Sequence, residues 1–363
     1  MYEYVHGGNI YDADGLPAQG VLDFSANINP LGIPGEVRKA IRNAIPDCVN
    51  YPDSQCRLLR KRLGETLGIR PEWIYCGNGA SEILFRLAYV AQAKRTLVLA
   101  PTFADYGRAA AAAGSKVDYH QLRREDGFRV TGSLLRSVTK RTGLVVLCNP
   151  NNPTGLLADR ILLTAVLDKC RANGTLCVVD ECFLDFVPHA EQYTLLGLTE
   201  QYENLVVLKA FTKTHALPGI RLGYCVTSNT ALLDALYLTG PDWNVSTLAQ
   251  AAGVAALSVP SYLEEARQLL ATERKYLTGQ LRQLDCVVYD GAADYLFFYA
   301  SRDPGWADLL RQRGILIRDC SNYHGLAPGY YRIAVKQRRD NRRLIKEMKE
   351  ITKHVCTFTS RID

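Results

Sequence analysis

Short apolar, β-branched runs alternate with segments of helical periodicity from about residue 54 onwards. The apolar runs predict strands at Thr96–Ala100, Gly143–Cys148, Thr175–Asp180, Leu205–Lys209 and Leu222–Thr227. Segments of helical length lie between them, such as Asp159–Ala172, and Ser54 is placed to cap a helix that runs to about Leu67. This alternation predicts a mostly parallel sheet that helices cover on both faces. In such α/β sheets, ligands bind at the carboxyl ends of the strands.

The pattern changes beyond about residue 255. A long helical stretch at Tyr262–Leu284 precedes several shorter elements. These are predicted strands at Cys286–Tyr289, Tyr295–Tyr299, Ile315–Arg318 and Tyr330–Val335, a helix at Trp306–Arg313 and a terminal helix. They indicate a second, smaller α+β domain. The Pro/Gly-rich opening through Pro34 favours an extended arm over a packed element. The predicted division is an arm with part of the small domain (1–45), a large domain (46–255) and a small C-terminal domain (256–363).

Composition excludes several classes of protein. The chain has 363 residues, of which 47% are hydrophobic and 22% charged, a balance typical of globular proteins and not of disordered or fibrous chains. The net charge of +6 is too small and too dispersed to indicate nucleic-acid binding. No apolar run approaches the roughly 20 residues that a membrane span needs. We therefore expect neither a nucleic acid nor a membrane as a partner.

Cysteine and histidine positions bear on redox compartment and metal binding. The eleven cysteines form no CxxC pair, their number is odd, and several lie inside apolar runs, as Cys148 and Cys177 do. This usage predicts free thiols and a reducing, cytoplasmic environment. The six histidines form no ligand spacing with cysteines or carboxylates, so no metal site is expected.

Chemically distinctive residues follow successive predicted strands. Asn149–Gly155 follows one strand, Asp180 ends the next, Lys213 follows the third, and Arg221 comes eight residues later. Each feature alone is commonly a turn, a helix cap or a surface charge. Together they place an amide, a carboxylate, a lysine and an arginine at one edge of one sheet. A cofactor that carries a phosphate and a pyridine nitrogen and binds a lysine amine requires this set.

The run Asn151-Asn-Pro-Thr-Gly155, with Asp180, Lys213 and Arg221, resembles the fold-type-I, aspartate-aminotransferase-like family of pyridoxal-phosphate enzymes. The resemblance covers nearly the whole chain. It implies that Lys213 binds pyridoxal phosphate covalently and that Asp180 pairs with the pyridine nitrogen. It also implies that Asn152 bonds the phenolic oxygen of the cofactor and that Arg221 contacts its phosphate.

Further cofactor contacts follow from the same resemblance. The family's phosphate-binding helix start matches Gly79-Ala80-Ser81, and Phe103 matches an aromatic residue that stacks on the cofactor ring. Relatives often have a serine or threonine near the phosphate where this chain has Ala210, and Thr212 is a substitute. Tyr51 matches a tyrosine that reaches the phosphate of the neighbouring subunit's cofactor, which implies a homodimer.

The substrate side resembles two subgroups of the family. Arg332 matches the arginine that binds the substrate α-carboxylate, and Arg318 matches a residue that binds a substrate phosphate in histidinol-phosphate aminotransferases. Two arginines suggest a small substrate with two anionic ends, a phosphorylated amino acid. The pattern His6-Gly-Gly-Asn9 followed by Ser25-Ala-Asn-Ile-Asn-Pro30 closely resembles the L-threonine-O-3-phosphate decarboxylases of cobalamin biosynthesis. That resemblance implies substrate contacts from His6, Gly7, Asn27 and Asn152.

The expected activity is decarboxylation of O-phospho-L-threonine, with a histidinol-phosphate type of aminotransferase as the alternative. Phe183 stands where aminotransferases usually have a tyrosine that donates to the cofactor, which favours the decarboxylases. Cys182 stands beneath the expected cofactor ring and is interpreted as packing. A third alternative is a cofactor-binding protein without turnover, or a nucleic-acid regulator that uses the fold as a sensor. The regulator needs a DNA-binding module. The basic segment 336–343 is its one candidate, and it is predicted to be the solvated start of the last helix.

Overall fold

The structure is a computed structural model that describes residues 6–11, 15 and 18–359, with side chains through residue 353. Its strands are β1 (Leu22–Asp23), β2 (Ile74–Gly77), β3 (Arg95–Ala100), β4 (Lys116–Gln121), β5 (Leu144–Cys148), β6 (Leu176–Asp180), β7 (Leu205–Ala210), β8 (Gly223–Val226), β9 (Cys286–Val288), β10 (Tyr295–Ala300), β11 (Ile315–Leu316), β12 (Arg318–Asp319) and β13 (Tyr330–Ala334). Its α-helices are α1 (Gly35–Ala44), α2 (Arg57–Leu67), α3 (Gly79–Ala91), α4 (Ala104–Ala112), α5 (Leu134–Ser137), α6 (Arg160–Asn173), α7 (Phe211–Thr214), α8 (Thr230–Leu238), α9 (Thr247–Ala256), α10 (Pro260–Arg282), α11 (Trp306–Arg311) and α12 (Arg338–Thr359).

A seven-stranded sheet forms the centre of the large domain, in the order β2-β8-β7-β6-β5-β3-β4. The strands β7, β6, β5, β3 and β4 are parallel, whereas β8 pairs antiparallel with both β2 and β7. The prediction of a mostly parallel sheet is confirmed, and all five predicted strands are present. Two strands were not predicted: β2, which has only four residues, and β4, a polar strand at the sheet edge. Neither presents the long apolar run that marks a strand buried on both faces.

Alternate residues of the central strands pack against helices on opposite faces. Along β5, Val146 and Cys148 contact the cluster that contains α3, whereas Val145 and Leu147 contact the cluster that contains α6. Because side chains in a strand alternate between faces, both faces of a covered parallel sheet must be apolar. The continuous apolar sequence of the central strands therefore follows from their burial on both sides.

The starts of two predicted helices have different outcomes. The helix expected at Asp159–Ala172 begins at Arg160, and the carboxylate of Asp159 accepts hydrogen bonds from the amides of Ile161 and Leu162. The cap predicted at Ser54 is wrong. The helix α2 begins at Arg57 after Cys56, which has a left-handed backbone with φ of 50°, and the carboxylate of Asp53 accepts from the Arg57 amide at 2.8 Å.

The small domain contains a four-stranded antiparallel sheet in the order β12-β13-β10-β9, packed against α10, α11 and α12. A single strand at Ile315–Arg318 is a wrong prediction. The chain instead forms β11, passes the buried residue Ile317 and continues as β12 in a different sheet. The sequence predicts one continuous strand because all four residues suit an extended backbone. The change of pairing partner between β11 and β12 arises only from the tertiary structure.

The expectation of an unpacked N-terminal opening is wrong for the residues after 20. The strand β1 pairs parallel with β11, and Phe24 is fully buried in the core of the small domain. The backbone amide of Asn29 donates to the Lys213 carbonyl oxygen at 3.1 Å, and its side-chain Nδ2 donates to the Thr214 carbonyl oxygen at 2.8 Å. This segment therefore joins the small domain to the loop that carries Lys213. The domain boundaries at 45 and 255 stay predictions.

The described residues also bear on the expectations about membranes and metals. In that part of the chain, no helix is both long and apolar enough to cross a membrane. The same residues hold no group of three or more His, Cys, Asp or Glu side chains arranged to bind a metal ion.

Candidate active site

A cavity of about 180 Å³ lies at the edge of the central sheet where the parallel strands end. Residues that follow β2, β3, β5, β6 and β7 converge there because these strands run in the same direction. The strand β8 runs the opposite way, so its start lies at the same edge and places Arg221, two residues earlier, in the cavity wall. The topology thus gathers the residues that the sequence spreads over some 140 positions.

Most of the predicted site residues line this one cavity. They are His6, Gly7, Asn27, Ala80, Ser81, Phe103, Asn152, Asp180, Thr212, Lys213, Arg221, Arg318 and Arg332. Gly79 lies directly behind the Arg221 side chain. Tyr51 is elsewhere, 78% exposed and stacked on Trp243 with ring centroids 4.4 Å apart.

Burial in the cavity shifts the pKa values of Lys213 and Asp180 in opposite directions. Burial lowers the pKa of Lys213, and the charges of Arg332 and Arg221 lower it further against the opposing effect of Asp294. A larger fraction of this amine is therefore neutral and nucleophilic at a given pH. Burial raises the pKa of Asp180, whose carboxylate accepts hydrogen bonds from Tyr106 Oη at 2.7 Å and from the Cys182 amide at 2.9 Å.

An anion-binding corner is formed by the start of α3 and by Arg221. Gly79 has a φ of 78°, and a Cβ atom there would lie 2.6 Å from Arg221 Nη2. A Cβ atom at Gly223 would lie 2.5 Å from the Ala80 backbone nitrogen. Two glycines therefore allow the guanidinium and the first amides of α3 to share one small space. Helix amides and a guanidinium together bind phosphate well.

The two predicted substrate arginines are direct neighbours across antiparallel strands. Arg318 on β12 pairs in register with Arg332 on β13, which places both side chains on one face of the small sheet. Arg332 is buried and donates to the Ser25 carbonyl oxygen at 2.6 Å and to Asn152 Oδ1. Arg318 donates to Asn322 Oδ1 at 2.7 Å and lies 5.0 Å from the ring centroid of Tyr323.

The cavity favours anionic ligands. Its lining in the described chain includes Lys213 and three arginines, but Asp180 is its single carboxylate. Within the same described part, Asn27 Oδ1 and Arg332 Nε are buried without a hydrogen-bond partner. Buried polar atoms are rarely left unpaired in a folded protein, so both indicate a ligand or bound solvent at this place. The concentration of positive charge attracts phosphate and carboxylate groups.

Several residues of the site were not found from the sequence. Tyr106 holds Asp180, Ser25 accepts from Arg332, and Tyr323 lies beside Arg318. Ser25 belongs to the Ser25–Pro30 pattern quoted above, but the sequence assigned a role to none of the three. Asp294 is fully buried, and its pKa is raised to about 7 by burial, with the nearby charges of Lys213 and Arg332 opposing the shift. Only the fold brings Tyr106, Ser25 and Tyr323 to the cavity and Asp294 close to Lys213 and Arg332.

Phe183 and Cys182 also line the cavity. The Phe183 ring packs edge-on against Tyr295 at a centroid distance of 5.2 Å, and Tyr295 donates to the Asn151 carbonyl oxygen at 2.9 Å. Burial raises the pKa of the Cys182 thiol, which keeps it protonated and unreactive. This environment supports the interpretation of Cys182 as a packing residue.

The arrangement suits a cofactor with three chemical features. The anion-binding corner accepts a phosphate, the Asp180 carboxylate accepts a protonated ring nitrogen, and the neutral form of Lys213 attacks a carbonyl carbon. The residues present thus fit the cofactor that the sequence analysis inferred.

Comparison with known proteins identifies close relatives. The family described as aminotransferase class I and II matches residues 19–348. The chain is 36% identical to the threonine-phosphate decarboxylase of Salmonella typhimurium over 97% of both chains. It is 30% identical to the adenosylcobalamin biosynthesis bifunctional protein CobDQ of Leptospira interrogans, over 95% of this chain and 41% of that one. The crystal structure of histidinol-phosphate aminotransferase from Clostridium acetobutylicum is similar with a TM-score of 0.86 at 28% identity, covering 92% of this chain and all of that one.

The anion-binding corner can be tested at Gly223. The Gly223→Ala change places a methyl group against the Ala80 backbone nitrogen, which must move the start of α3. We expect the Kd for pyridoxal phosphate to rise by about tenfold or more, as measured by visible absorbance during titration of the cofactor-free protein. Gly219→Ala is the matched control, because nothing lies within 4 Å of a Cβ atom there. Equal cofactor affinity in the two variants would contradict this role of the glycine.

Proposed function

The chain belongs to the class I and II aminotransferase family of pyridoxal-phosphate enzymes, and from this premise we propose that it decarboxylates O-phospho-L-threonine to (R)-1-aminopropan-2-yl phosphate. The reaction would serve cobalamin biosynthesis. The observation that carries the proposal is the register of Arg318 opposite Arg332, which presents two guanidinium groups to one cavity that also contains His6. A phosphorylated amino acid has the two anionic groups that these arginines require.

Different residues of the chain would have different roles in binding and using the cofactor. Pyridoxal phosphate, when bound, accepts the electron pair that remains on the substrate α-carbon after a bond to this carbon breaks. Asp180, held by Tyr106 and the Cys182 amide, would keep the ring nitrogen protonated. Arg221 and the first amides of α3 would hold the phosphate. Lys213 would bind the cofactor covalently and carry the proton that replaces the departing carboxylate.

The substrate groups are assigned by burial and by partners. Arg332 is buried and already oriented by Ser25 and Asn152, which suits a precise, bidentate grip on the α-carboxylate. Arg318 is more exposed and lies with His6 in the cavity wall, which suits the phosphate. With both ends held by Arg332 and Arg318, contacts remote from the breaking bond would orient the substrate for loss of its carboxylate.

The same cavity would also suit a histidinol-phosphate aminotransferase, so the choice of reaction rests on other observations. The described start of the arm, His6 and Gly7, lines the cavity. The 36% identity to a threonine-phosphate decarboxylase extends over nearly the full length of both chains. Phe183 also lacks the hydroxyl that a tyrosine would offer to the cofactor. These three observations favour decarboxylation over amino-group transfer.

The reaction is tested by product analysis of the purified enzyme loaded with pyridoxal phosphate. With O-phospho-L-threonine as substrate, we expect carbon dioxide and the aminopropanol phosphate at the same rate with and without 2-oxoglutarate. Glutamate that forms only with the keto acid, without carbon dioxide, would show an aminotransferase instead. Lys213→Ala is the control variant: turnover and the visible absorbance of the bound cofactor should disappear together, because both depend on the same amine.

The assignment of Arg318 to the phosphate predicts a selective binding defect. Arg318→Gln should raise the KM for O-phospho-L-threonine by about 10- to 100-fold, the effect of losing a charge-assisted contact, with a smaller change in kcat. Steady-state kinetics provide the measurement, and inhibition by inorganic phosphate should weaken in parallel. Arg302→Gln, on an exposed loop, is the matched control. An unchanged KM in Arg318→Gln would refute the assignment.

We further propose that the enzyme is a homodimer in which Tyr51 completes the partner's site. Tyr51 and Trp243 stack on each other while 78% and 48% exposed, and the nearby residues Ile45 and Val49 are 56% and 87% exposed. A stacked aromatic pair and exposed aliphatic side chains a few residues earlier in the chain are typical of an interaction surface. The position of Tyr51 outside its own chain's cavity supports a role across an interface.

Mixing two impaired variants tests the dimer. Tyr51→Ala and Lys213→Ala homodimers should each be impaired, but a mixed dimer contains one site with both residues intact. After dissociation and reassembly, we expect activity to recover to about a quarter of the wild-type value, because half of the dimers are mixed and half of their sites are intact. If Tyr51 acts within its own chain, the mixture will show no recovery.

We also propose a cytoplasmic location. The ten cysteines whose side chains are described are free thiols, and nine of them are buried. Such thiols are typical of proteins that fold in a reducing compartment.

A further inference from the structure

The N-terminal arm is attached to the large domain by a buried carboxylate. Asp105, in the first turn of α4, is 7% exposed and lies 3.0 Å from His6 Nε2 and 2.7 Å from Arg108 Nη1 through the same oxygen, Oδ1. The same Nε2 also lies 3.1 Å from Arg108 Nη1, so the His6 ring contacts both members of the Asp105–Arg108 ion pair. Burial would raise the pKa of Asp105, but the hydrogen bond from His6 and the charge of Arg108 outweigh burial and lower it.

His6 lies in a wall between two cavities. The active-site cavity and a second cavity of about 380 Å³ share His6, Phe103, Arg318 and Tyr323 in their linings. The rings of His6 and Phe103 are in contact at a centroid distance of 5.2 Å. Displacement of His6 would therefore join the substrate cavity to the larger space beside α4.

The same stretch of arm continues toward the carboxylate-binding arginine. The Gly8 amide donates to Ser25 Oγ at 2.8 Å, and a Cβ atom at Gly7 would lie only 2.3 Å from the Ser25 carbonyl oxygen. That carbonyl oxygen accepts from Arg332 Nη2. One path of contacts thus runs from Asp105 through the arm to Ser25 and Arg332, and it crosses from the large domain to the small one.

We propose that Asp105 is a positioning residue that fastens the N-terminal arm through His6 and so keeps the substrate cavity closed toward the second cavity. This inference rests on the proposed function for the identity of the substrate, but the fastening itself involves only residues of this chain. An acidic residue in the first turn of α4 also stabilises the helix through a favourable interaction with its dipole. A role confined to the helix would affect stability without affecting the arm.

Hydrogen exchange of the arm in the cofactor-loaded enzyme without substrate separates the two roles. In Asp105→Asn and in His6→Gln, we expect exchange in residues 7–10 to accelerate by about tenfold, because the arm loses its attachment to α4. Asp118→Asn is the matched control, since Asp118 forms a comparable ion pair with Arg95 at the far edge of the sheet. Asp105→Glu keeps the charge and should restore most of the protection. Unchanged arm exchange in Asp105→Asn would overturn the proposal.

Kinetics provide a second, independent test. Asp105→Asn should raise the KM for O-phospho-L-threonine by about tenfold, with a smaller effect on kcat. The KM of the double variant Asp105→Asn/His6→Gln should not exceed the KM of whichever single variant has the higher value. Additive effects would overturn the coupling of the two residues. Should the enzyme fail to decarboxylate this substrate, the proposed function would fall, while hydrogen exchange would still decide whether Asp105 fastens the arm.

Discussion

The position of the buried Arg332 guanidinium is the constraint on which the site depends. It donates to Asn152 after β5 and to the Ser25 carbonyl oxygen before the first helix, and it lies opposite Arg318 on the neighbouring strand. A buried guanidinium requires partners because its desolvation is costly. The large domain, the arm and the small domain each supply one of these contacts. The geometry of the substrate cavity therefore exists only when all three are assembled.

The charge distribution of the cavity explains why one fold can bind the cofactor and a doubly anionic substrate together. Arg221 and the start of α3 form one anion site, while Arg318 and Arg332 form another on the opposite domain. Between them, burial lowers the pKa of Lys213 and raises that of Asp180. Shifts in opposite directions within one cavity are typical of catalytic groups. The surrounding positive charge compensates the negative charge of the two ligands.

The alternative of a nucleic-acid regulator receives no support from the basic segment 336–343. Arg338 binds Glu273 of α10 through both carboxylate oxygens, and Asn341 is buried and donates to the same carboxylate. These residues attach α12 to α10 in the small domain. The segment is thus the start of the last helix and also makes structural contacts within the small domain. Glu273 neutralises part of its positive charge.

The sequence by itself determined the α/β class and the five central strands, because strand periodicity is a local signal. It also indicated many of the cavity residues, some as polar residues at strand ends and the others through the resemblance of their motifs to a known family. It did not determine the reversal of β8, the division of Ile315–Arg318 between two sheets or the packing of Phe24 in the small domain. Tyr106 and Asp105 likewise carry no local signal, and the pattern that contains Ser25 does not show which residue Ser25 contacts. Their roles arise from partners 74, 99 and 307 positions away. Pairing and burial at such separations are set by the packing of whole elements, which only the tertiary structure decides.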